Sequence, residues 1–171
     1  IEELEKCALV DPHTGLMKKR GLEMNLRSVV GVMHRYGWTY GVIYIDIDEF
    51  ERINEMYGRT IGNDVLRMIA KTLQNSVRAT DVVGRWEDDA FMVIAASVNE
   101  DQLNHIANKI RVLVEQSGFP VGADVIRVTA SVCATIVRSN DTVGTLFERI
   151  DKLTEHDKVF RKKHVLLKMA V

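Results

Sequence analysis

The chain has 171 residues, of which 46% are hydrophobic and 27% are charged, and this composition suits one globular domain with an adequate core. Its formal net charge of −1 provides no global attraction to nucleic acid or to an anionic membrane surface. No apolar run approaches the roughly 20 residues that span a bilayer, so we expect neither a nucleic-acid partner nor a membrane contact within this segment.

Helical spacing and strand alternation predict a mixed series of elements. Ile1–Val10 is interpreted either as the end of a linker helix from an upstream domain or as a frayed terminus, and one domain is expected over residues 11–171. The predicted helices are one that follows the turn Asp11–Leu16 and ends near Tyr36, then Phe50–Tyr57, Thr60–Val77, Asp101–Gln116 and Thr142–Val159. The predicted strands are Tyr40–Asp48, Asp81–Trp86, Ala90–Ala96, Val125–Val137 and Val165–Met169. This order predicts an α/β sandwich around a mixed sheet.

Two isolated cysteines, Cys7 and Cys133, are typical of free thiols in a reducing cytosol, with a disulfide as the alternative. We therefore expect a cytoplasmic location, either for the whole protein or for the cytoplasmic part of a larger, membrane-anchored one.

Acidic residues gather at two of the predicted strands. Asp46 and Asp48 end the first strand and share a face, because side chains on a strand repeat every two residues. Glu87, Asp88 and Asp89 form the turn of the predicted hairpin. If the first strand lies beside the hairpin, its carboxylates approach this turn and indicate a site for a divalent metal or a phosphate.

Four segments together resemble the GGDEF family of diguanylate cyclase domains. Asp11–Arg20 resembles the family's opening D-x-L-T-G-L-x-N-R-R, and Asp46–Asn54 resembles D-I-D-x-F-K-x-I-N. Arg85–Phe91 falls where the family has R-Y-G-G-D-E-F, and Val128–Val132 resembles V-T-x-S-I. The resemblance implies the palm-like sandwich of nucleotidyl cyclases, with a central mixed sheet, flanking helices and the signature turn on a β-hairpin.

The resemblance also implies a chemistry and a cofactor. Members of the family make cyclic di-GMP from two GTP molecules, using Mg²⁺ ions to align a hydroxyl with an α-phosphate. Here the implied metal ligands are Asp46, the backbone carbonyl of Ile47, and Asp89. The catalytic candidates are Asp46, a vestigial Asp89, Asp88 and Glu87.

The signature departs from the family pattern in a way that predicts impaired catalysis. Glu87 and Asp88 replace two glycines, and Ala90 replaces the second acid. Glycine lets backbone approach a ligand closely, whereas two carboxylates repel a polyphosphate. Two unit charges about 4 Å apart interact by ~1 to ~4 kcal/mol, depending on the dielectric. We therefore expect a weakened Mg²⁺ site and weak GTP binding.

Substrate contacts are implied at four further positions. Asn54 matches a guanine-contacting asparagine, and Asn63 stands where the family has a guanine-reading aspartate. An amide lacks the charge that favours the N–H edge of guanine. Lys158 and Lys162 match basic residues expected to contact phosphate.

A second ligand site is implied upstream of the hairpin. Arg78 and Asp81 match the family's R-x-x-D product-binding motif, and Arg85 and Lys109 match other basic positions around it. Arginine can donate two parallel hydrogen bonds to guanine, from which aspartate accepts. Arg85–Asp88 and Arg138–Asp141 also fit R-x-x-D, so only the position of Arg78–Asp81 relative to the hairpin favours that pair. The alternative is an exposed ion pair of little energetic value.

Three functions remain open on the sequence. The first is a regulatory domain or cyclic di-GMP receptor with impaired catalysis. The second is a working diguanylate cyclase with an unusual signature. The third is a dimerisation or regulatory scaffold that binds no ligand or only GTP. The expected partners are cyclic di-GMP or GTP, together with a second copy or neighbouring domains of a longer chain.

Overall fold

The computed structural model describes residues 9–155. The strands are β1 (Met17–Lys18), β2 (Tyr40–Ile47), β3 (Val82–Glu87), β4 (Ala90–Ala96), β5 (Gly118–Val121), β6 (Asp124–Arg127) and β7 (Ala130–Ile136). The helices are α1 (Lys19–Tyr36), α2 (Phe50–Tyr57), α3 (Arg59–Ser76), α4 (Glu100–Gln116) and α5 (143–155). None of the helices in these described residues is long and apolar enough to cross a membrane.

A five-stranded sheet in the order β1-β3-β4-β2-β7 forms the centre of the fold. β1 runs parallel to β3, and the other neighbouring pairs are antiparallel. β2 lies between β4 and β7, so that Asp46 stands opposite Ala90 on one side and Ser131 on the other. The predicted mixed sheet with a hairpin and flanking helices is therefore confirmed.

Alternation along the central strands gives the sheet two apolar faces. Ile43, Ile45 and Phe91 belong to the core that packs beneath α2, α3 and α4. Val42 and Met92 belong to the opposite core, which α1 and α5 cover. The result is a three-layer sandwich in which the hairpin turn between β3 and β4 reaches one edge of the sheet.

Two predicted elements have wrong boundaries. The strand expected over Val125–Val137 is two strands, because β6 pairs with β5 in a separate two-stranded sheet and β7 joins the central one. The helix expected directly after Leu16 begins only at Lys19, because Met17 and Lys18 pair with β3 as a short edge strand.

Other predictions lie partly or wholly outside the described residues. Val10 forms an antiparallel bridge with Met17, while residues 1–8 of the expected linker helix are not described. The end of the last predicted helix and the predicted strand Val165–Met169 are outside the described range, as are Lys158 and Lys162.

Candidate functional site

The acidic turn adopts a conformation that does not require glycine. Glu87 pairs with Ala90, which leaves Asp88 and Asp89 as a two-residue turn, and the strand register shifts between Arg85 and Glu87. Among the described residues, the only non-glycine positions with positive φ are Glu49 and Ser97, so the turn has none. A primed hairpin turn would need positive φ at its first central residue. The acidic side chains therefore fit this turn without backbone strain.

The Arg85 side chain is hydrogen-bonded to the backbone of the turn. Its Nη2 donates to the carbonyl of Asp88 at 2.6 Å, and its Nε donates to the carbonyls of Asp88 and Glu87 at 3.2 and 3.3 Å. Its Nη1 donates to Oδ2 of Asp11 at 3.1 Å, and both side chains of this ion pair are only 12% exposed. Arg85 thus connects the signature turn to the loop that precedes β1.

Asp11 is fixed as an ionised carboxylate. Burial by itself would raise the pKa of Asp11, but hydrogen bonds from the hydroxyl and backbone N–H of Thr14, together with the charge of Arg85, hold that pKa below its usual value. A permanent charge at Asp11 keeps Arg85 in place beneath the turn.

A cleft of about 1030 Å³ lies between the turn, α2 and α3. Six acidic and four basic side chains line it, which gives a formal charge of −2 with His13 neutral. The acidic residues are Asp11, Glu51, Glu55, Glu87, Asp88 and Asp89, and the basic ones are Lys18, Lys19, Arg59 and Arg85. Two of these cations are engaged by acids of the cleft itself, since Arg85 binds Asp11 and Lys19 Nζ lies 3.8 Å from Glu87 Oε1.

Asn54 and Asn63, for which the sequence predicts contacts to a base, both line this cleft. Asn54 lies on α2 and Asn63 on α3. Gly62 allows the two helices to approach, because a Cβ at this position would overlap the Oδ1 of Asn54. The structure therefore brings two amide side chains to the end of the cleft opposite the acidic turn, where they can donate and accept hydrogen bonds.

Asp46, Ile47 and Asp89, the residues expected to bind a metal, lie on neighbouring backbone segments. The backbone N–H of Ile47 donates to the carbonyl of Asp89 at 2.9 Å, which places the turn against the end of β2. Burial raises the pKa of Tyr44, and the charges of Asp46, Glu87 and Asp89 raise it further. These three carboxylates therefore lie close to one phenol, on the α1 side of the sheet. Among residues 9–155, no group of three or more His, Cys, Asp or Glu side chains has the arrangement of a metal site.

Asp48 does not join this group, which corrects the expectation that both carboxylates approach the turn. Its Oδ2 accepts from Thr129 Oγ1 at 2.6 Å, and its Oδ1 accepts from Ser131 Oγ at 2.7 Å. Both partners lie on or next to β7, on the side of β2 away from the hairpin. The hydrogen bonds of Asp48 therefore connect the end of β2 to β7.

The second predicted site splits into separate parts. Arg78, Asp81 and Lys109 lie together at the start of β3, where Lys109 Nζ donates to the carbonyl of Ser76 at 3.3 Å. Arg85 is not among them, because it pairs with Phe91 near the hairpin turn, whereas Arg78 Nη2 donates to the carbonyl of Ala96 at 2.6 Å. Five residues of an extended strand separate these two points by roughly 16 Å. A contribution of Arg85 to a ligand site around Arg78 therefore stays a prediction.

The carboxylate of Asp81 accepts hydrogen bonds from backbone N–H groups. Its side chain is 1% exposed, and its two oxygens accept the N–H groups of Arg78 at 3.0 Å and Ala96 at 3.1 Å. The second R-x-x-D segment repeats part of this turn, since Asp141 Oδ2 accepts the N–H of Arg138 at 2.7 Å. In both segments the aspartate also donates its own N–H to the carbonyl of the arginine. The motif thus describes a hydrogen-bonded turn as well as a possible ligand contact.

Several charged residues of the cleft were not singled out as site residues from the sequence, among them Asp11, Lys18, Lys19 and Arg59. Lys19 was missed because its contacts are distant in the sequence. Its Nζ lies 4.6 Å from the ring centroid of Trp86, and it also contacts Glu87. These partners are 67 and 68 positions away along the chain. A basic run before a helix was the only signal that the sequence offered.

Fold and site together define a mixed α/β sandwich with an amide-lined cleft beneath a hairpin turn. The sequence matches the family described as "Diguanylate cyclase, GGDEF domain" over residues 8–163. The chain therefore belongs to the GGDEF family.

Individual relatives agree with this assignment. The response regulator PleD of Caulobacter vibrioides is 32% identical over 168 residues, covering 96% of this chain and 37% of that protein. Diguanylate cyclase SiaD of Pseudomonas aeruginosa, solved with its activator SiaC, superposes with a TM-score of 0.85 at 28% identity over 92% of this chain and 60% of that one. The coiled coil and GGDEF domain of Caulobacter crescentus DgcB, solved with cyclic di-GMP, gives a TM-score of 0.86 at 20% identity over 92% and 84% of the two chains. The chain spans 23% to 38% of the length of the first curated relatives that it matches.

Proposed function

We propose that this chain is a regulatory GGDEF domain of cyclic di-GMP signalling whose cyclase chemistry is impaired. The observation that carries the proposal is the acidic turn itself. Arg85 holds the backbone of Glu87 and Asp88 at the edge of the cleft, and both residues line it. A nucleotide that placed its phosphates at this turn would meet two carboxylates instead of bare backbone.

The remaining charges of the cleft support this reading. Glu51 and Glu55 add two further acids to its wall, and Lys19 is already paired with Glu87. A triphosphate needs a net positive surface or bound cations, because anions repel one another strongly wherever water is excluded. The end of the cleft at Asn54 and Asn63 retains groups that can contact a base.

Mg²⁺ fits this site only as a single, weakly held ion. Asp46, the carbonyl of Ile47 and Asp89 offer hard oxygen ligands of the kind that Mg²⁺ prefers. Ala90, which is 1% exposed, supplies no further carboxylate at the position where the family has its second acid. A bound ion would neutralise part of the charge at the turn, and Asp46 and Asp89 would hold and orient it.

Thermal shift with GTP and Mg²⁺ tests the proposal. A ligand at 100 times its Kd would stabilise the domain by about 2.7 kcal/mol, so even modest affinity is visible. We expect GTP at 1 mM to leave the melting temperature unchanged. A GTP-dependent rise of several degrees would contradict the proposal and favour an active cyclase or a GTP-binding scaffold.

Product recognition at Arg78 is a second candidate, and the exposure of that side chain favours it. The Arg78 side chain is 54% exposed, with Lys109 nearby and Asp81 positioning the turn from within. In this arrangement Arg78 contacts the ligand, and Asp81 acts as a positioning residue.

Calorimetry with cyclic di-GMP tests this receptor role. The binding heat should disappear in Arg78→Ala and persist in Arg138→Ala, the matched arginine of the other R-x-x-D turn. Absence of heat in the wild-type chain would leave a regulatory or dimerisation role without a nucleotide ligand.

A further inference from the structure

Two asparagines of the cleft have side-chain amides without a partner in the part of the protein that the structure describes. Within residues 9–155, the half-buried asparagines are Asn25, Asn54 and Asn63. Asn25 Nδ2 donates to Met17 Sδ at 3.6 Å, whereas the amides of Asn54 and Asn63 make no hydrogen bond to any described residue. Because a polar group that loses water without gaining a partner costs stability, these two amides are suited to a ligand.

The surroundings of the two amides are apolar and closely packed. Phe50 and Leu66 also line the cleft, and they are only 6% and 1% exposed. The Oδ1 of Asn54 and the ring of Phe50 both face the backbone of α3, because a Cβ on Gly62 would overlap the first and lie 3.3 Å from the second. We call Phe50, Asn54, Asn63 and Leu66 the amide corner. Two apolar side chains beside two amides suit a flat heterocycle with hydrogen-bonding groups along its edge.

The amide corner contains no formal charge. Glu51, Glu55 and Arg59 line the same cleft on α2 and at the start of α3, but all three are exposed, and water competes for their charged groups. Recognition within the corner therefore depends on amides, each of which has one acceptor oxygen and two N–H donors.

An amide can pair with adenine and with guanine, because each base has a donor next to an acceptor along its edge. In adenine the N6 amino group lies next to N7 and N1, and in guanine N1–H lies next to O6. A carboxylate instead selects guanine, whose N1–H and N2–H groups are two adjacent donors. The ring nitrogens of adenine would direct lone pairs at such a carboxylate.

We propose that the amide corner binds the base of a purine nucleoside and accepts adenine as readily as guanine. This inference rests on the proposed function, because it concerns the same cleft. Asn54 is held between the two helices by its contact with Gly62, and Asn63 provides the second amide in place of a carboxylate. Asn63 is therefore the residue that determines which purine the cleft accepts.

Titration of isotope-labelled protein with guanosine and with adenosine tests the inference by NMR. Neither nucleoside has a phosphate, so the charges of the acidic turn do not oppose binding. The side-chain NH2 signals of Asn54 and Asn63, which are identified by their loss in Asn54→Asp and Asn63→Asp, should shift with both nucleosides. The two Kd values should agree within about threefold, since an amide forms two hydrogen bonds with either base. A preference for guanosine of about fivefold or more, or no shift with either nucleoside, would overturn the inference.

The variant Asn63→Asp tests the role of the amide, because it replaces an NH2 group by an oxygen and keeps the size of the side chain. It should bind guanosine at least about fivefold more tightly than adenosine, the lower end of what one bidentate base contact contributes. Asn75→Asp adds the same charge at the exposed other end of α3 and should leave the ratio unchanged. An unchanged ratio in Asn63→Asp, or the same change in Asn75→Asp, would contradict the role of Asn63. Thermal melting of each variant verifies that it is folded.

Failure of this inference and failure of the proposed function give different results. A rise in melting temperature with GTP would contradict impaired triphosphate binding, whatever the ratio of the two nucleosides. A wild-type preference for guanosine would refute the role of the amide corner and would leave the acidic turn as the obstacle to GTP.

Discussion

Neutralising the acidic turn should restore affinity for a nucleoside triphosphate. The change is Glu87→Gln with Asp88→Asn, which removes two charges and keeps the size of both side chains. Because the Glu87 side chain is 60% exposed, the water-like limit of about 1 kcal/mol per carboxylate at 4 Å is appropriate. Together the two changes should tighten binding by about 2 kcal/mol, or roughly 30-fold.

The structure also predicts which of the two changes matters more. Lys19 Nζ lies 3.8 Å from Glu87 and offsets part of its charge. Asp88→Asn alone should therefore increase affinity more than Glu87→Gln alone. Calorimetry with a non-hydrolysable GTP analogue and Mg²⁺ measures both, and the exposed Asp124→Asn on β6 serves as the control.

Salt provides an independent check on the same reasoning. The Debye length falls from about 30 Å at 0.01 M to about 10 Å at 0.1 M ionic strength, so the advantage of the double variant should shrink as salt rises. Equal affinity of wild type and double variant at low salt would refute the electrostatic account of the turn.

Three further predictions concern the groups that build the domain. Asp81→Ala leaves the N–H groups of Arg78 and Ala96 without their acceptor, which costs about 1–3 kcal/mol of stability for each group. The melting temperature should therefore fall by roughly 5–15 °C, whereas Asp124→Ala should change it little. The hydrogen bond from Arg149 lowers the pKa of Asp141 to about 2. The ionised carboxylate therefore stabilises the fold fully above the unfolded pKa of about 4, and this stabilisation is lost as pH falls through 2. In urea unfolding, the difference in unfolding free energy between wild type and Asp141→Asn should shrink over that pH range, and a constant difference would contradict the prediction. Gly62→Ala should displace the amide of Asn54 and weaken binding of the GTP analogue in the neutralised-turn background, and unchanged affinity would remove Asn54 from the base contacts.

The sequence predicted the elements well where the pattern was local. The two strands of the hairpin around Glu87-Asp88-Asp89 appear where expected, because alternation and turn chemistry act over a few residues. The split of the strand expected over Val125–Val137 was missed, because both halves have strand-like sequence and only their different partners separate them.

Side-chain partners far apart along the chain account for the errors at the site. Asp48 was expected to face the hairpin, but its acceptor oxygens bind residues 81 and 83 positions away. The ion pair of Arg85 with Asp11 was not predicted, because Asp11 lies 74 positions earlier. Sequence periodicity does not predict such long-range pairs. Only the folded structure shows which residues each side chain contacts.

Chromatographic detection of cyclic di-GMP shows whether the acidic turn prevents cyclase activity. The chain is incubated with GTP and either Mg²⁺ or Mn²⁺ at a protein concentration high enough for two copies to meet. We expect no cyclic product from the folded wild-type protein, because Glu87 and Asp88 oppose the triphosphate and Ala90 supplies no second acid. Steady accumulation of cyclic di-GMP above a no-enzyme control would contradict it.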